Sequence, residues 1–284
     1  MRPWLKLGRF DRPAGIWLLM LPGWQGIALA GAMQGRWPDP LLLALFFLGA
    51  ALMRAAGCAY NDIVDADIDA KVARTAARPI PSGQISRKQA WGFVVACCLA
   101  ALAILLTFPP LAIGLGVGSL ALVAAYPFMK RITWWPQAWL GLTFNWGALL
   151  GFAAATGTLQ LPALLLYAGG VFWTLGYDTI YAVQDLEDDA LAGVKSSARR
   201  LGAAAPKAVL GFYVGAFFLA LAAAFAGGLG PLFWPAAALY GLHLSRQAQR
   251  LDVADPIGAL ALFKSNTLAG ALLWVAIWAG AWRP

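Results

Sequence analysis

The chain has 284 residues, of which 61% are hydrophobic and 12% are charged, with a formal net charge of +8 and a mean hydropathy of +0.69. This composition excludes an ordinary soluble domain, in which about a quarter of the residues are charged. The basic residues lie in short segments between apolar runs, a pattern that indicates membrane topology and not a nucleic acid partner. His243 is the only histidine, which excludes a metal site or catalytic triad built on histidines.

Apolar runs of about 20 residues, the length that crosses a hydrocarbon core of about 30 Å, recur along the whole chain. They predict an all-α, polytopic membrane protein with nine transmembrane helices in a bundle around a central cavity, forming one domain over 1–284. An alternative for the first run is a secretory signal peptide, but its length and the interruption at Pro22 favour a span. The predicted spans are about 14–33, 41–60, 89–108, 111–129, 136–156, 163–184, 207–227, 232–245 and 257–282.

Two polar segments, at about 61–88 and 185–206, interrupt the apolar pattern. With nine spans and the N-terminus inside, 17 of the 21 basic residues fall in cytoplasmic segments, and Arg36 and Arg283 fall outside. This asymmetry follows the positive-inside rule and supports both the span count and the orientation. We therefore expect the chain in a lipid bilayer, the bacterial inner membrane or an equivalent, with its N-terminus and both polar segments cytoplasmic.

Acidic residues are concentrated in two stretches, each at the cytoplasmic end of a predicted span. The first follows the second span, and the other begins within the sixth span and continues beyond it. Together they hold nine of the thirteen acidic residues of the chain. They are Asp62, Asp65, Asp67 and Asp69, and then Asp178, Asp185, Glu187, Asp188 and Asp189.

The two stretches have matching spacing. Asp65 and Asp69 are four residues apart, as are Asp185 and Asp189, and 120 residues separate the two pairs. Carboxylates placed side by side repel each other unless a cation lies between them. Mg²⁺ is bound in this way by one or two carboxylates together with phosphate oxygens of a substrate. The spacing therefore favours Mg²⁺ bridged to a diphosphate over a merely solvated loop surface.

Helical geometry distinguishes the members of the first stretch. Asp62, Asp65 and Asp69 share one helical face, whereas Asp67 points elsewhere. Basic residues near both stretches are expected to neutralise a departing diphosphate. These are Arg74, Lys130 and Lys195.

The apolar surroundings indicate what the rest of the substrate is. A diphosphate held at the membrane face suits a donor with a long isoprenoid tail. Metal-assisted loss of diphosphate from an allylic ester leaves a carbocation, which needs a water-poor pocket and is stabilised by aromatic faces. Each aromatic residue in this region is more often a packing residue than a catalytic one. The candidates are Tyr60, Tyr126, Phe144, Trp173, Tyr177 and Tyr181.

The two acidic stretches resemble the signatures of the UbiA superfamily of intramembrane prenyltransferases, and the branch that they are most similar to uses 4-hydroxybenzoate as the acceptor. Further motifs extend the resemblance over nearly the whole chain. The signatures are Asn61-Asp62-x-x-Asp65-x-x-x-Asp69 and 177–189 with Gly193-Val194-Lys195-Ser196. The other motifs are Arg9-x-Asp11-Arg12-Pro13-x-Gly15, Arg74-Thr75-x-x-Arg78-Pro79, Tyr126-Pro127-x-x-Lys130-Arg131 and Phe263-Lys264-Ser265-Asn266.

The resemblance implies a nine-helix bundle that depends on Mg²⁺. It also implies transfer of a polyprenyl chain from polyprenyl diphosphate to the ring carbon of 4-hydroxybenzoate ortho to the phenol, in ubiquinone biosynthesis. By position, the metal–diphosphate ligands would be Asn61, Asp62, Asp65, Asp69, Asp185 and Asp189. The substrate-binding residues would be Arg54, Arg74, Tyr126, Lys130, Tyr181 and Lys195.

Two more residues are expected near the acceptor, and with Asp185 they form the predicted catalytic set. Arg54 lies within an apolar run and needs an anion, which is either the benzoate carboxylate or one of the site aspartates. Asp178 lies two turns before Asp185, on the same helical face and deeper. Its expected role is to orient or deprotonate the phenol, to accept the ring proton, or to position a tyrosine.

Two alternatives stay open from the sequence. One is a prenyltransferase with another acceptor, such as a naphthoate, a homogentisate, a haem or a chlorophyllide, because the diphosphate motifs do not separate these. The other is a cation-coupled membrane transporter, in which intramembrane carboxylates bind ions. The acidic stretches lie at helix ends and not mid-span, which favours the enzyme.

Overall fold

The computed structural model describes residues 3–71, 73–186 and 193–283, and within these residues all regular secondary structure is helical. The helices that correspond to predicted spans are α1 (Ala14–Met33), α2 (Pro40–Val64), α3 (Arg87–Leu105), α4 (Pro110–Ile132), α5 (Pro136–Thr156), α6 (Leu161–Val183), α7 (Ala205–Ala226), α8 (Phe233–Arg250) and α9 (Pro256–Lys264 and Asn266–Ala279). Shorter α-helices are Pro3–Leu7, Ala66–Asp69, Ala73–Ala76 and Ser197–Leu201.

In the described part of the chain, seven helices are long and apolar enough to cross a membrane. The predicted integral membrane character and all-α class are therefore confirmed. The labelled helices outside this group are α6 and α8, with 23 and 18 residues. The count of nine spans and a cavity at the centre of the whole bundle thus stay predictions.

Local sequence signals explain where several helices begin and end. Asp39 caps α2, since its side chain accepts the Leu41 N–H at 2.9 Å and Pro40 occupies the first helical position. Ser86 and Gln89 form a reciprocal capping box at the start of α3. Gly157 ends α5 at φ +70°, a left-handed conformation that glycine adopts without strain.

The long helices pack in chain order, each against the next, and the second half of α9 packs against α1. The contact between α3 and α4 is slight. α1 also runs along α5, close enough that a side chain at Gly26 would meet the carbonyl of Ala148. Protein buries 72% of the apolar stretch of α1, which confirms that this helix belongs to the bundle.

α4 has the smallest share of its apolar stretch buried by protein, 11%. α5 holds it through two indole groups. Trp139 Nε1 donates to the Leu122 carbonyl at 2.9 Å, and Trp146 Nε1 donates to the Leu115 carbonyl at 2.8 Å. Pro127 lies inside α4 and removes one backbone donor. α4 is therefore attached mainly along one flank.

α9 breaks at Ser265, inside a run that the sequence predicts to be one continuous span. The Ser265 hydroxyl and the Asn266 amide both donate to the Leu262 carbonyl, at 2.8 and 3.2 Å, so side chains compete with the helical ladder. Trp173 Nε1 donates to Asn266 Oδ1 at 2.9 Å, and Gln247 Nε2 donates to Ser265 Oγ at 2.7 Å. The bundle tolerates this break because neighbouring helices satisfy its polar groups.

Candidate active site

A polar cavity of about 250 Å³ lies where α2 and α6 end. Oxygen-bearing side chains from both acidic stretches line it, and basic side chains face them. The members of the two stretches are Asn61, Asp69, Asp178 and Asp185, and the basic residues are Arg78, Lys130 and Lys195. The two stretches, 120 residues apart in sequence, therefore meet at one end of the bundle.

The helix ends place these side chains. α2 carries Asn61 in its last turn and ends at Val64, and Asp65 separates it from the short helix that ends with Asp69. α6 places Asp178 within the bundle. The chain leaves α6 just before Asp185, whose N–H donates to the Ala182 carbonyl at 3.2 Å.

Every aspartate of the first stretch is ion-paired. Asp65 is 1% exposed and accepts from Lys130 and, at 3.0 Å, from Arg131. Asp69 accepts from Arg78 at 2.6 Å. Asp67 instead points to the surface, where its exposed carboxylate pairs with Arg87 at 2.5 Å. Asp65 lines neither cavity directly, but its partner Lys130 lines the polar one.

A second, larger cavity of about 540 Å³ adjoins the polar one. We call it the apolar chamber. Side chains of α1 to α5 form its walls, among them Leu19, Met53, Leu102, Val123 and Leu150. Residues common to both cavities are Asn61, Arg78, Tyr126, Pro127 and Tyr181. The polar cavity thus opens onto an apolar space bounded mainly by α1 to α5, with Tyr181 of α6 at the junction.

Arg54 lines the apolar chamber without an ion pair to any described residue. Its Nε is buried and has no hydrogen-bond partner, and no carboxylate of the described residues lies within 4 Å of its guanidinium. The guanidinium carbon lies 5.6 Å from the centroid of the Phe144 ring. A side chain at Gly15 would collide with it, so Arg54 crosses directly over the backbone of α1. A buried guanidinium with no carboxylate in contact favours the binding of an anion.

The chain matches the UbiA prenyltransferase family over residues 19–270. It is a member of that family. It is 46% identical over 279 residues to the mitochondrial 4-hydroxybenzoate polyprenyltransferase of Homo sapiens, covering 98% of this chain and 75% of that protein. It is 44% identical over 277 residues to the protein of the same name from Drosophila melanogaster, covering 97% and 70%.

Solved structures of UbiA homologs share the fold. The apo structure of a homolog from Aeropyrum pernix K1 matches with a TM-score of 0.76 at 30% identity, over 92% of this chain and 96% of that one. A homolog from Archaeoglobus fulgidus bound to GPP and Mg²⁺ matches with a TM-score of 0.75 at 18% identity, over 98% and 99%. Membership of this prenyltransferase family decides against the cation-coupled transporter.

The aromatic candidates separate into two groups. Tyr60, Tyr126, Phe144 and Tyr181 line the chamber. Trp173 and Tyr177 are each 1% exposed and line neither cavity, so they are packing residues behind the wall. Their rings continue through Phe263 to Tyr181, with the Phe263 and Tyr181 centroids 4.6 Å apart.

Some predicted site residues cannot be placed, and some residues at the site were not predicted. Asp189 and the side chain of Arg74 lie outside the described residues. Arg78 lines both cavities and was part of a motif, but only its contacts reveal its position. Gln137 lines the polar cavity and accepts the Ser197 N–H at 3.0 Å. Nothing in its sequence context, near the start of an apolar run, indicated this.

The donor set of the polar cavity fits a hard divalent cation, since carboxylate and amide oxygens are the ligands that Mg²⁺ prefers. Within the described ranges, however, no three acidic, cysteine or histidine side chains converge closely enough to hold a metal by themselves. A metal here would therefore share its coordination with phosphate oxygens of a substrate, as Mg²⁺ commonly does.

Proposed function

We propose that this chain transfers a polyprenyl group from polyprenyl diphosphate to a ring carbon of 4-hydroxybenzoate, as the names of its relatives at 46% identity state for them. The observation that carries the proposal is the junction of the two cavities. A polar cavity with both acidic stretches opens onto an apolar chamber that contains Arg54, whose guanidinium has no carboxylate within 4 Å among the described residues. This arrangement suits a diphosphate, a long hydrocarbon tail and an aromatic acid together.

The diphosphate of the donor would occupy the polar cavity. Arg78, Lys130 and Lys195 line it and would compensate the charge that develops as the diphosphate leaves. Lys195 is held in place by its N–H, which donates to the Lys130 carbonyl at 3.0 Å, and by its Nζ, which donates to the Ile132 carbonyl at 3.1 Å. Arg74, whose side chain is not described, is proposed as a further contact to the diphosphate.

A bound divalent ion, which we take to be Mg²⁺, would neutralise part of the diphosphate charge and so favour its departure. A homolog from Archaeoglobus fulgidus was solved with Mg²⁺ and GPP, and again with Cd²⁺. Lys130 holds Asp65 through a flexible stem and can turn to the diphosphate, which would leave that carboxylate paired with Arg131 alone and one of its oxygens open to the metal. The proposed ligands are Asn61, Asp65, Asp69, Asp185 and Asp189, and Asp62 is left out of this set.

The acceptor would lie in the chamber next to the polar cavity. Arg54 would bind the benzoate carboxylate with its planar fork, which places the ring among Tyr126, Phe144 and Tyr181. Asp178 lines the polar cavity and would orient the phenol or take up its proton. The apolar walls exclude water, which would otherwise capture the allylic cation.

We further propose that the chain forms a single transmembrane domain with its N-terminus and the polar cavity on the cytoplasmic side. The basic residues between apolar runs support this orientation. The membrane would be the bacterial inner membrane or its equivalent, and the relatives named above are mitochondrial.

The decisive experiment supplies membranes that contain this chain with Mg²⁺, 4-hydroxybenzoate and a series of prenyl diphosphates, and identifies products by mass spectrometry. A prenylated 4-hydroxybenzoate is expected with the wild type and absent with Asp185→Asn. Naphthoate and homogentisate are offered in parallel. Preferential prenylation of one of these acceptors would show that the acceptor assignment is wrong while the donor chemistry holds.

A further inference from the structure

Arg9 has an unusual backbone conformation. It is the single non-glycine residue in the described ranges with a positive φ, +56°, and it follows the short helix Pro3–Leu7. Residues other than glycine are strained at positive φ, and such strain persists only where the surroundings fix the residue. The guanidinium supplies that restraint. Nη1 donates to the Lys6 carbonyl at 2.9 Å, and Nη2 lies 2.8 and 2.9 Å from the two carboxylate oxygens of Asp62.

Asp62 connects Arg9 to Arg78, which lines the polar cavity. Its carboxylate is 1% exposed and also accepts from Arg78 Nη1 at 3.2 Å. The same Nη1 donates to Asp69 at 2.6 Å. Arg9, Asp62, Arg78 and Asp69 thus form a row of alternating charge. Of the four, Arg9 and Asp62 line only the apolar chamber, whereas Arg78 lines both cavities.

We propose that Arg9 and Asp62 are positioning residues that hold Arg78 in place for the donor diphosphate, and that Asp62 is not a metal ligand. This inference rests on the proposed function and assigns different work to neighbouring carboxylates of one motif. A metal on Asp62 would compete with two arginines, one of them fixed at both ends. Leaving those guanidinium groups unpaired beside a buried site is unfavourable.

Asp65 offers the contrast within the same stretch. It is equally buried and has two partners. Lys130 has a flexible stem and lines the cavity in which the diphosphate would lie, and the Arg131 side chain is 43% exposed, whereas Arg9 is 18% exposed. Lys130 can therefore exchange one anion for another without moving the backbone. Arg9 lacks that freedom, because Lys6 and Asp62 hold its guanidinium from two sides. The ion pair between Arg9 and Asp62 is therefore expected to persist when the donor binds.

The test compares Arg9→Gln, Asp62→Asn and the double variant, with the full chain in lipid nanodiscs. Each single change is expected to raise the KM for the prenyl diphosphate about tenfold, as loss of one charge-assisted contact would. The kcat and the KM for 4-hydroxybenzoate should change less than twofold. The double variant should also raise the donor KM about tenfold and not about a hundredfold, because both changes break the same row of ion pairs. Arg9→Lys should restore part of the loss.

A readout other than activity separates the positioning role from a metal role. Binding of Mn²⁺ at saturating inorganic diphosphate, followed by electron paramagnetic resonance, should be within twofold of wild type in Arg9→Gln and Asp62→Asn. Asp65→Asn, the matched carboxylate control, should lose it. Arg87→Gln, which breaks the exposed pair with Asp67, should leave both the donor KM and Mn²⁺ binding unchanged.

Loss of Mn²⁺ binding in Asp62→Asn would overturn the proposal, as would additive effects in the double variant or an unchanged donor KM in Arg9→Gln. If Asp62→Asn does not fold, the donor KM of Arg9→Gln and Arg9→Lys still tests the positioning role, since Arg9 lies outside the polar cavity. If the wild type makes no prenylated 4-hydroxybenzoate, the proposed function fails. In that case the affinity for inorganic diphosphate, measured by calorimetry on the same variants, replaces the donor KM.

Discussion

Replacing Arg54 by alanine tests the acceptor site directly. Among the described residues this side chain has no carboxylate within 4 Å, and its Nε has no hydrogen-bond partner. The substitution therefore breaks no ion pair with any residue of the described ranges. It removes a cation–π contact with Phe144, whose ring centroid lies 5.6 Å from the guanidinium carbon. We expect Arg54→Ala to fold and to keep its melting temperature within a few degrees.

The effect on the acceptor follows from the contacts that the guanidinium could make. A hydrogen bond to a charged group contributes about 1.5–3 kcal/mol net, and a bidentate arginine–carboxylate pair makes two such bonds. Taking about 3 kcal/mol for the pair, kcat/KM for 4-hydroxybenzoate should fall roughly 150-fold. The kcat/KM for the prenyl diphosphate at saturating acceptor should change little.

The assay compares 4-hydroxybenzoate with 4-hydroxybenzamide, which has the same ring and phenol but no charge. Wild type should prefer the acid strongly, Arg54→Ala should treat the two nearly alike, and Arg54→Lys should lie between them. Met53→Leu, which alters a neighbouring chamber residue without changing charge, is the matched control. If Arg54→Ala keeps the preference for the acid, or affects only the donor, the acceptor role of Arg54 is wrong.

Four further outcomes are expected. Gly15→Leu should raise the KM for 4-hydroxybenzoate at least about tenfold with the donor KM unchanged, because a β-carbon there lies 2.6 Å from Arg54 Nε; equal effects on both substrates would contradict this. Asp185→Asn should abolish diphosphate release while the melting temperature stays near wild type, and wild-type release would contradict a metal role. EDTA should stop turnover and excess Mg²⁺ should restore it, whereas turnover in EDTA would exclude the metal. Gly26→Val should cost about 1–3 kcal/mol of stability by forcing α1 from α5, seen as a lower melting temperature, whereas Gly49→Ala, which faces open space, should not.

The sequence was sufficient for the helices because hydropathy reports directly on burial in lipid. It was not sufficient where a helix end depends on tertiary partners. α8 continues past Arg246 to Arg250, although the predicted span stops near 245. The break of α9 at Ser265 depends on polar partners from other helices, which no local pattern contains.

At the site, the repeated spacing predicted that the two acidic stretches meet, and the structure places Asp69 and Asp185 in one cavity. The sequence could not predict which basic side chain pairs with each carboxylate. Arg9 and Asp62 are 53 residues apart, and their contact depends on how the short N-terminal helix docks. The sequence likewise left two possible anionic partners for Arg54, a site aspartate and the carboxylate of the acceptor. In the described residues no aspartate lies within 4 Å of its guanidinium, and the assignment of Arg54 to the acceptor stays a prediction.

The slight contact between α3 and α4 has a practical consequence for biochemistry. Protein buries only 17% and 11% of their apolar stretches, so in a bilayer acyl chains would cover most of the surface of these two helices. Stripping annular lipid with a harsh detergent should let these two helices splay before any helix unwinds. Purified material would then keep a normal circular dichroism spectrum while its catalytic competence decays, and adding back phospholipid would be the remedy.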